Sequence, residues 1–263
     1  MKIDLYVVTY NDEFMLPYFF KHYDQFVRWY FVFDNMSTDS TRDILRSKHN
    51  VTIFDNYSPG LDSMGNTDWK NRTWKQFSRS DADWIICCDS DEFLYCKTDL
   101  LEKLDLYDRV GISVPRTCGL AMAYEWQPCD GSKQIWQQFQ QGSLYENRIY
   151  NKPMIFSAKR IDNINYSSGC HYALPEGQIR YSPLQELFML HYAYPPEAVI
   201  RKQFEVKIVR AKLLEQGKDN VTYFNQNDMD RRIGERSYIM AQGLNVIDAI
   251  QDDCFNLEKG TCG

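Results

Sequence analysis

The sequence predicts an α/β fold in which a mostly parallel central sheet is flanked by helices and followed by a short C-terminal helical tail. Three observations predict it. Apolar runs too short for helices alternate with segments of helical periodicity through about the first hundred residues. Those runs end on the polar residues Thr9, Asp34 and Asp89, where a parallel sheet presents its ligand-binding edge. The composition, 44% hydrophobic and 25% charged over 263 residues, is that of a globular chain with enough apolar mass for one large domain.

Taken in order, residues 3 to 8 (IDLYVV) read as a buried strand. Glu13 to Phe26 read as a helix, because Leu16, Phe19, Phe20 and Tyr23 recur at helical spacing and Pro17 fits only in its first turn. Residues 29 to 33 (WYFVF) form a second strand ending at Asp34. The stretch NMSTDSTRDIL supplies several cap-competent side chains before a short helix carrying Ile44 and Leu45. Residues 51 to 54 (VTIF) make a third strand, followed by a Gly/Ser/Asp-rich loop to about Asn66 and a helix with Trp69, Trp74 and Phe77. Residues 84 to 88 (WIICC) are a fourth strand that runs into DSDEF. Beyond Arg109 the expectation is a strand near 110 to 114, then a long polar and aromatic loop through Trp126, Trp136 and Tyr145. Short strands near 152 to 156 and 187 to 190 follow, and helices from Pro195 onward.

The charge balance excludes some partners. Lys and Arg number 30 against 36 Asp and Glu, a net charge of -6, so no overall basic field exists to recruit nucleic acid. No apolar stretch approaches the roughly 20 residues that a membrane span needs. The start of the chain is expected to carry no export signal, since Asp4 interrupts the first apolar run. The 8 cysteines contain no CxxC pair, which argues against a zinc knuckle and for buried reduced thiols. Glycans on the sequons at Asn35 and Asn71 would fall where the ligand pocket is expected. The expected compartment is therefore the cytoplasm, with peripheral membrane attachment as one role for the cations Arg201, Lys202, Lys207, Arg210 and Lys212; a solvated face or steering of an anionic substrate are the others. Aromatic residues make up 15% of the chain, enough to fill a core and leave rings for stacking on a flat ligand.

The strongest chemical signal is the apolar strand followed by Asp89-Ser90-Asp91-Glu92. Two carboxylates at i and i+2 on a turn can both approach a hard divalent cation that keeps positions open for substrate phosphates. A solvated acidic turn is the alternative reading. The segments VVTYNDE, FVFDNMSTDSTRDIL, WKNRTWKQF and the strand ending in DSDEF occur in the order found in GT-A fold glycosyltransferases of the family 2 type, which this chain resembles. It is similar in particular to the branch whose metal motif reads D-x-D-E-F. The resemblance implies a GT-A, Rossmann-like catalytic domain over residues 1–194, with a nucleotide-sugar half (1–115) and an acceptor half (116–194), and a helical extension over 195–263 packed on it.

It further implies transfer of a sugar from a nucleoside diphosphate donor to a glycan, glycolipid or other hydroxyl acceptor, with a divalent cation, manganese or magnesium, bridging protein and diphosphate. On this pattern Thr9 and Tyr10 contact the nucleoside, Asp34 the base, Lys70 and Arg72 the base or diphosphate, and Asp89 and Ser90 the ribose or donor sugar. Asp89, Asp91 and His191 make up the metal set, with His171 as the competing histidine. Asp34 and Ser37 have a second reading as caps of the following helix. The branch follows its histidine with a Lys-Ser pair, whereas this chain has Pro195 and Pro196 and so turns to Arg201 or Lys202 for that phosphate contact.

An inverting enzyme needs a carboxylate base beside the acceptor, and Asp130, Glu125 and Glu146 are candidates by location, Asp130 first. Trp126, Trp136 and Tyr145 are candidates for a platform under an acceptor ring, with core packing as the other reading. Two rivals use the same motif: an aspartyl-phosphate-type phosphatase, and a non-catalytic nucleotide-sugar or glycan binding protein. The oligomeric state stays open at this point.

Overall fold

A computed structural model describes residues 1–55, 63–143, 151–183, 186–214 and 225–252. The fold is α/β. Strands β1 (Ile3–Thr9), β2 (Trp29–Asp34), β3 (Val51–Asp55) and β4 (Trp84–Asp89) lie parallel in the order β3-β2-β1-β4. Strand β8 (Ile155–Ser157) closes the edge antiparallel to β4. The chain winds outward from β1 through β2 to β3 and then returns to β1's other side as β4, so the sheet has its switch point between β1 and β4.

Both faces of this sheet are covered, which explains why its strands read as continuous apolar runs. Leu5 and Val7 of β1 face one core with Leu16 and Phe19 of helix α1 (Leu16–Tyr23). Tyr6 faces the other, with Trp74 of helix α3 (Ser63–Phe77) and Phe156 of β8. Pro17 sits in the first turn of α1, where its missing N–H costs nothing. Helix α2 (Thr41–Arg46) bridges β2 and β3.

The second sheet departs from the expected pattern. Strand β5 (Glu92–Cys96) follows the DSD turn directly and pairs antiparallel with β11 (Leu187–Tyr194). Strand β11 pairs parallel with β6 (Thr117–Ala123), which pairs with the two-residue β7 (Gly142–Ser143). The expected strand near 110 to 114 is instead the end of helix α4 (Leu100–Val110): Asp99 caps its N-terminus, accepting from the Glu102 N–H at 2.9 Å, and Gly111 ends it in a left-handed conformation at φ 79°. Only Val114 in that stretch makes a bridge, an isolated one to Tyr181 outside the strands. The expected loop after 115 begins as β6, whose seven residues are all buried despite a small-residue sequence, TCGLAMA, with little β-propensity. The strand expected near 187 to 190 runs on to Tyr194.

Further along, the short helix α5 (Ile135–Gln138) and a two-stranded ribbon of β9 (Ile161–Asn163) and β10 (Glu176–Gly177) complete the middle of the chain. Three helices, α6 (Glu197–Leu214), α7 (Gln226–Gln242) and α8 (Val246–Gln251), form the tail. Ile239, Val246 and Ile250 are buried in the same core as Leu120 and Leu190, so these helices share the core of the two sheets. No helix among the described residues is long and apolar enough to cross a membrane.

Candidate functional site

A cavity of about 820 Å³ opens at the carboxyl ends of β1 and β4, on the switch point of the sheet. Its floor is the β1–α1 loop. Asn11 there takes a positive φ of 54° and is tied to the β2–α2 loop, where its Oδ1 accepts from the Thr38 N–H at 2.7 Å. Asp12, which the motif reading passed over, organises the floor. Its Oδ2 accepts from the Thr9 hydroxyl (2.7 Å), the Tyr10 N–H (3.1 Å) and the Ser90 hydroxyl (2.6 Å), joining the ends of β1 and β4. Burial pushes the Asp12 carboxyl up to about 6, against the pull of those three donors. The acid-rich TYNDE segment showed an acid here, but not which one turns inward.

Asp89 lies at the end of β4, partly exposed to the cavity, and belongs to an ionic cluster whose other members are buried. Lys70 Nζ is 2.7 Å from Asp89 Oδ1, and Lys152 Nζ is 3.3 Å from Oδ2. Lys152 also pairs with Glu92, which is fully buried and accepts from the Asp89 N–H at 2.9 Å. Burial acts to raise the Asp89 carboxyl, but the two ammonium groups outweigh it and hold it well below the usual carboxylate range. Lys152 and Glu92 thus clamp the DSDE turn from beneath. No local signal marks Lys152, which arrives from more than 60 residues away in sequence, on the loop before β8.

Asp91 and His191 are brought together by sheet register. Glu92 pairs with His191, so Asp91 falls beside Tyr192, whose N–H donates to the Asp91 carbonyl at 2.9 Å. The Asp91 carboxylate then sits 3.4 Å from His191 Nε2. Burial acts to raise Asp91, and the neighbouring imidazole reverses this, so its carboxyl is held low. Among the described residues no three His, Cys, Asp or Glu side chains converge as a metal cage. One carboxylate and one imidazole suit a divalent ion that takes most of its ligands from diphosphate oxygens and water.

The other site candidates divide clearly. Thr9, Tyr10, Lys70, Asp89, Asp91 and Lys202 all line the cavity, and Ser90 is buried beneath it. Arg232 of α7 lines it as well, its guanidinium 4.6 Å from the centre of the Tyr194 ring. Arg72 does not line it: two residues from Lys70, it points from another face of α3 and pairs in solvent with Asp68. Asp34 is fully buried, accepting from the Ser37 N–H at 3.2 Å and from Arg42 at 2.8 Å, while its neighbour Asn35 lines the cavity. Neither contact caps α2, whose N-cap is Ser40: Asp34 holds the turn after β2 and pairs with Arg42.

Of the proposed bases, the two within the described residues do not line the cavity: Asp130 is engaged by Ser132 and Lys133 on the surface, and Glu125 pairs with Arg236. Glu146 lies outside the described residues, as does Tyr145. Arg201 pairs with Glu197 along α6, and the side chains of Lys207, Arg210 and Lys212 lie outside the described set. His171 is exposed beside Gly169, whose φ of 72° leaves no room for a Cβ against the imidazole. Trp136 packs inside, 4.9 Å from the His22 ring and 5.4 Å from Tyr95.

No protein-family model matches the chain, and no curated protein matches it. Among solved structures it is similar to glucosyl-3-phosphoglycerate synthase from Mycobacterium tuberculosis in complex with Mn2+, uridine diphosphate and phosphoglyceric acid, at 16% identity over 47% of this chain and 43% of the synthase, with a TM-score of 0.28. It is also similar to the mannosyltransferase Ktr4p from S. cerevisiae, at 12% identity over 44% of this chain and 38% of that one, TM-score 0.30. A third is HddC from Yersinia pseudotuberculosis, at 12% identity over 46% and 58% respectively, TM-score 0.28. In each case less than two thirds of the matched protein is spanned.

Proposed function

We propose that this chain is a metal-dependent glycosyltransferase that moves a sugar from a nucleoside diphosphate-sugar to a hydroxyl acceptor. The observation that carries the reading is the cavity at the β1/β4 switch point, which Asp91 and the cations Lys70, Lys202 and Arg232 line, with His191 Nε2 3.4 Å from the Asp91 carboxylate. A nucleoside fits the Thr9–Tyr10 end, where the half-buried tyrosine ring offers a stacking face. Lys202 and Arg232, from two helices of the tail, supply positive charge for the diphosphate and take the place of the Lys-Ser pair that the two prolines displace.

Asp91 and His191 would hold the divalent ion, which when bound supplies Lewis-acid stabilisation of the departing diphosphate. Asp12 positions Thr9, Tyr10 and Ser90 as one unit, so the nucleoside and sugar ends of the site keep a fixed spacing. Lys70 and Lys152 keep Asp89 ionised, ready to accept hydrogen bonds from donor hydroxyls. Charge developing on the leaving group meets ammonium and guanidinium groups already in place, so little reorganisation is needed.

A panel of UDP- and GDP-sugars, assayed with manganese for release of the nucleoside diphosphate, tests the reading. Turnover that requires both metal and a nucleotide sugar is expected. Hydrolysis of simple phosphate esters without nucleotide dependence would favour the phosphatase, and binding with neither hydrolysis nor transfer would favour the non-catalytic protein.

A further inference from the structure

The cavity has a second end that the donor reading leaves unused. Three rings rise along it in parallel. Tyr124 stacks on Phe14 with centroids 5.4 Å apart and planes 12° apart, and Phe14 stacks on Trp126 at 4.3 Å and 22°. All three line the cavity. The innermost, Tyr124, is buried, and the outermost, Trp126, is 60% exposed.

An indole left this open is unusual, because tryptophan is on average a highly buried residue. It is also held still. The Tyr124 N–H donates to the Tyr194 carbonyl at 3.1 Å, the Tyr18 hydroxyl donates to the Gln127 carbonyl at 3.0 Å, and Arg236 grips both the Tyr124 carbonyl and Glu125. The segment bearing Trp126 is therefore pinned on both sides by β11, α1 and α7. A fixed aromatic face spends little conformational entropy when a ligand lands on it.

The ladder also has a direction. The phenol of Tyr124 is pushed well above its ordinary range, by burial first and then by the charges of Asp91 and Asp12, so its inner end lies within the field of the donor-site carboxylates. Its outer end reaches solvent. The cavity wall also carries Val199 and Val206 of α6 together with the polar Glu13 and Gln203. An aliphatic tail calls for a closed apolar groove. A flat apolar face rimmed with hydrogen-bonding groups matches a pyranose, which has C–H groups on its faces and hydroxyls around its edge.

We infer that the Tyr124–Phe14–Trp126 stack is the acceptor subsite, and that it takes a sugar ring on the exposed face of Trp126. This rests on the transferase reading for the word acceptor, while the ring-binding itself can be tested without it. Saturation-transfer NMR with methyl β-glucoside, methyl β-galactoside and methyl α-mannoside, run on the full chain and on Trp126→Ala and Trp126→Phe, measures binding directly. Calorimetry with UDP and GDP on the same proteins measures the donor end.

The expected result is transfer to the ring C–H protons of at least one glycoside, about tenfold weaker binding in Trp126→Ala, partial rescue by Trp126→Phe, and nucleotide affinity within about twofold of wild type. No glycoside binding to the wild type would overturn the inference, as would binding indifferent to Trp126→Ala. A parallel loss of nucleotide affinity in Trp126→Ala would also overturn it, by assigning the stack to the donor. Glycoside binding that depends on Trp126 in a protein that binds neither nucleotide would uphold the platform and sink the transferase reading.

Discussion

The two sheets share one core and one cavity, yet they are put together in different ways. In the five-stranded sheet, β1, β2, β3 and β4 follow one another with a helix between each pair; β1–β2 and β2–β3 join near neighbours in sequence, while the β1–β4 and β4–β8 pairings span about 70 to 80 residues. In the four-stranded sheet, β5 pairs with β11 across about 90 residues, and β11 pairs with β6 across about 70. The first arrangement is wound from successive strand–helix units and needs one long-range return, β4 beside β1, to form the cavity edge. The second provides the Asp91–His191 pair, which exists only because distant strands register correctly. The cavity edge thus needs one long-range pairing, and the Asp91–His191 pair needs a second.

The ionic clamp where the sheets meet is the most damaging place to break this arrangement. Lys152→Met strands the fully buried Glu92 and removes one partner of Asp89, so it is expected to cost about 3–5 kcal/mol in denaturant unfolding. The double variant Glu92→Gln with Lys152→Met is expected to recover much of that loss, since no unpaired charge stays beneath the turn. Equal loss in the double variant would show that packing, and not charge pairing, dominates there.

Next come equivalent truncations in the two sheets. Leu5→Ala in β1 and Leu120→Ala in β6 each empty a fully buried site, and each is expected to cost about 2–5 kcal/mol. Because both side chains belong to one contiguous core, both variants should shift a single transition, seen alike by far-UV circular dichroism and tryptophan fluorescence. Two separate transitions, one sensitive to each variant, would mean the sheets fold independently.

A smaller effect follows from His22, which joins α1 to β5 by contact between Nε2 and the Leu94 carbonyl at 3.0 Å. Burial lowers its pKa from 6.5 to about 3, against the pull of that carbonyl. The folded state thus excludes a proton that the unfolded chain takes up below 6.5. The neutral ring's contribution is fully present above pH 6.5 and is lost progressively as pH falls toward 3, amounting to about 2 kcal/mol between pH 7 and pH 5. His22→Gln, which keeps a donor for Leu94, should flatten the acid limb of a stability profile by that amount. An unchanged limb would locate the acid sensitivity elsewhere.

Smallest of all should be Arg72→Gln, which leaves nucleotide affinity unchanged, while Lys70→Gln weakens it; calorimetry separates the two. That contrast shows where sequence reading works and where it stops. The motif segment WKNRTWKQF placed two cations on the right helix, but only the helical turn decides that Lys70 faces the cavity and Arg72 faces solvent. The four parallel strands and Thr9, Asp89 and Asp91 were legible because each follows a short apolar run. Strand β6 was not, because TCGLAMA has neither alternation nor β-branched bulk and becomes a strand through its partners. The stretch near 110 reads as a strand because the run VGISV is apolar, while Gly111 is the stop signal of helix α4. Lys152 and Arg232 have no motif to announce them, Asp12 sits in a quoted segment that does not say which acid turns inward, and Asp34 pairs with Arg42 and its own loop.

We propose that the edge shared by β1 and β4 binds a nucleoside diphosphate through a cation that Asp91 and His191 would hold. Calorimetric titration of UDP and GDP, each with manganese and again with excess chelator, into the wild type and Asp91→Ala tests it most directly. One site per chain is predicted, dependent on manganese and at least about tenfold weaker in Asp91→Ala at unchanged melting temperature. Absence of binding by either nucleotide, or equal affinity in the wild type and Asp91→Ala, would contradict it.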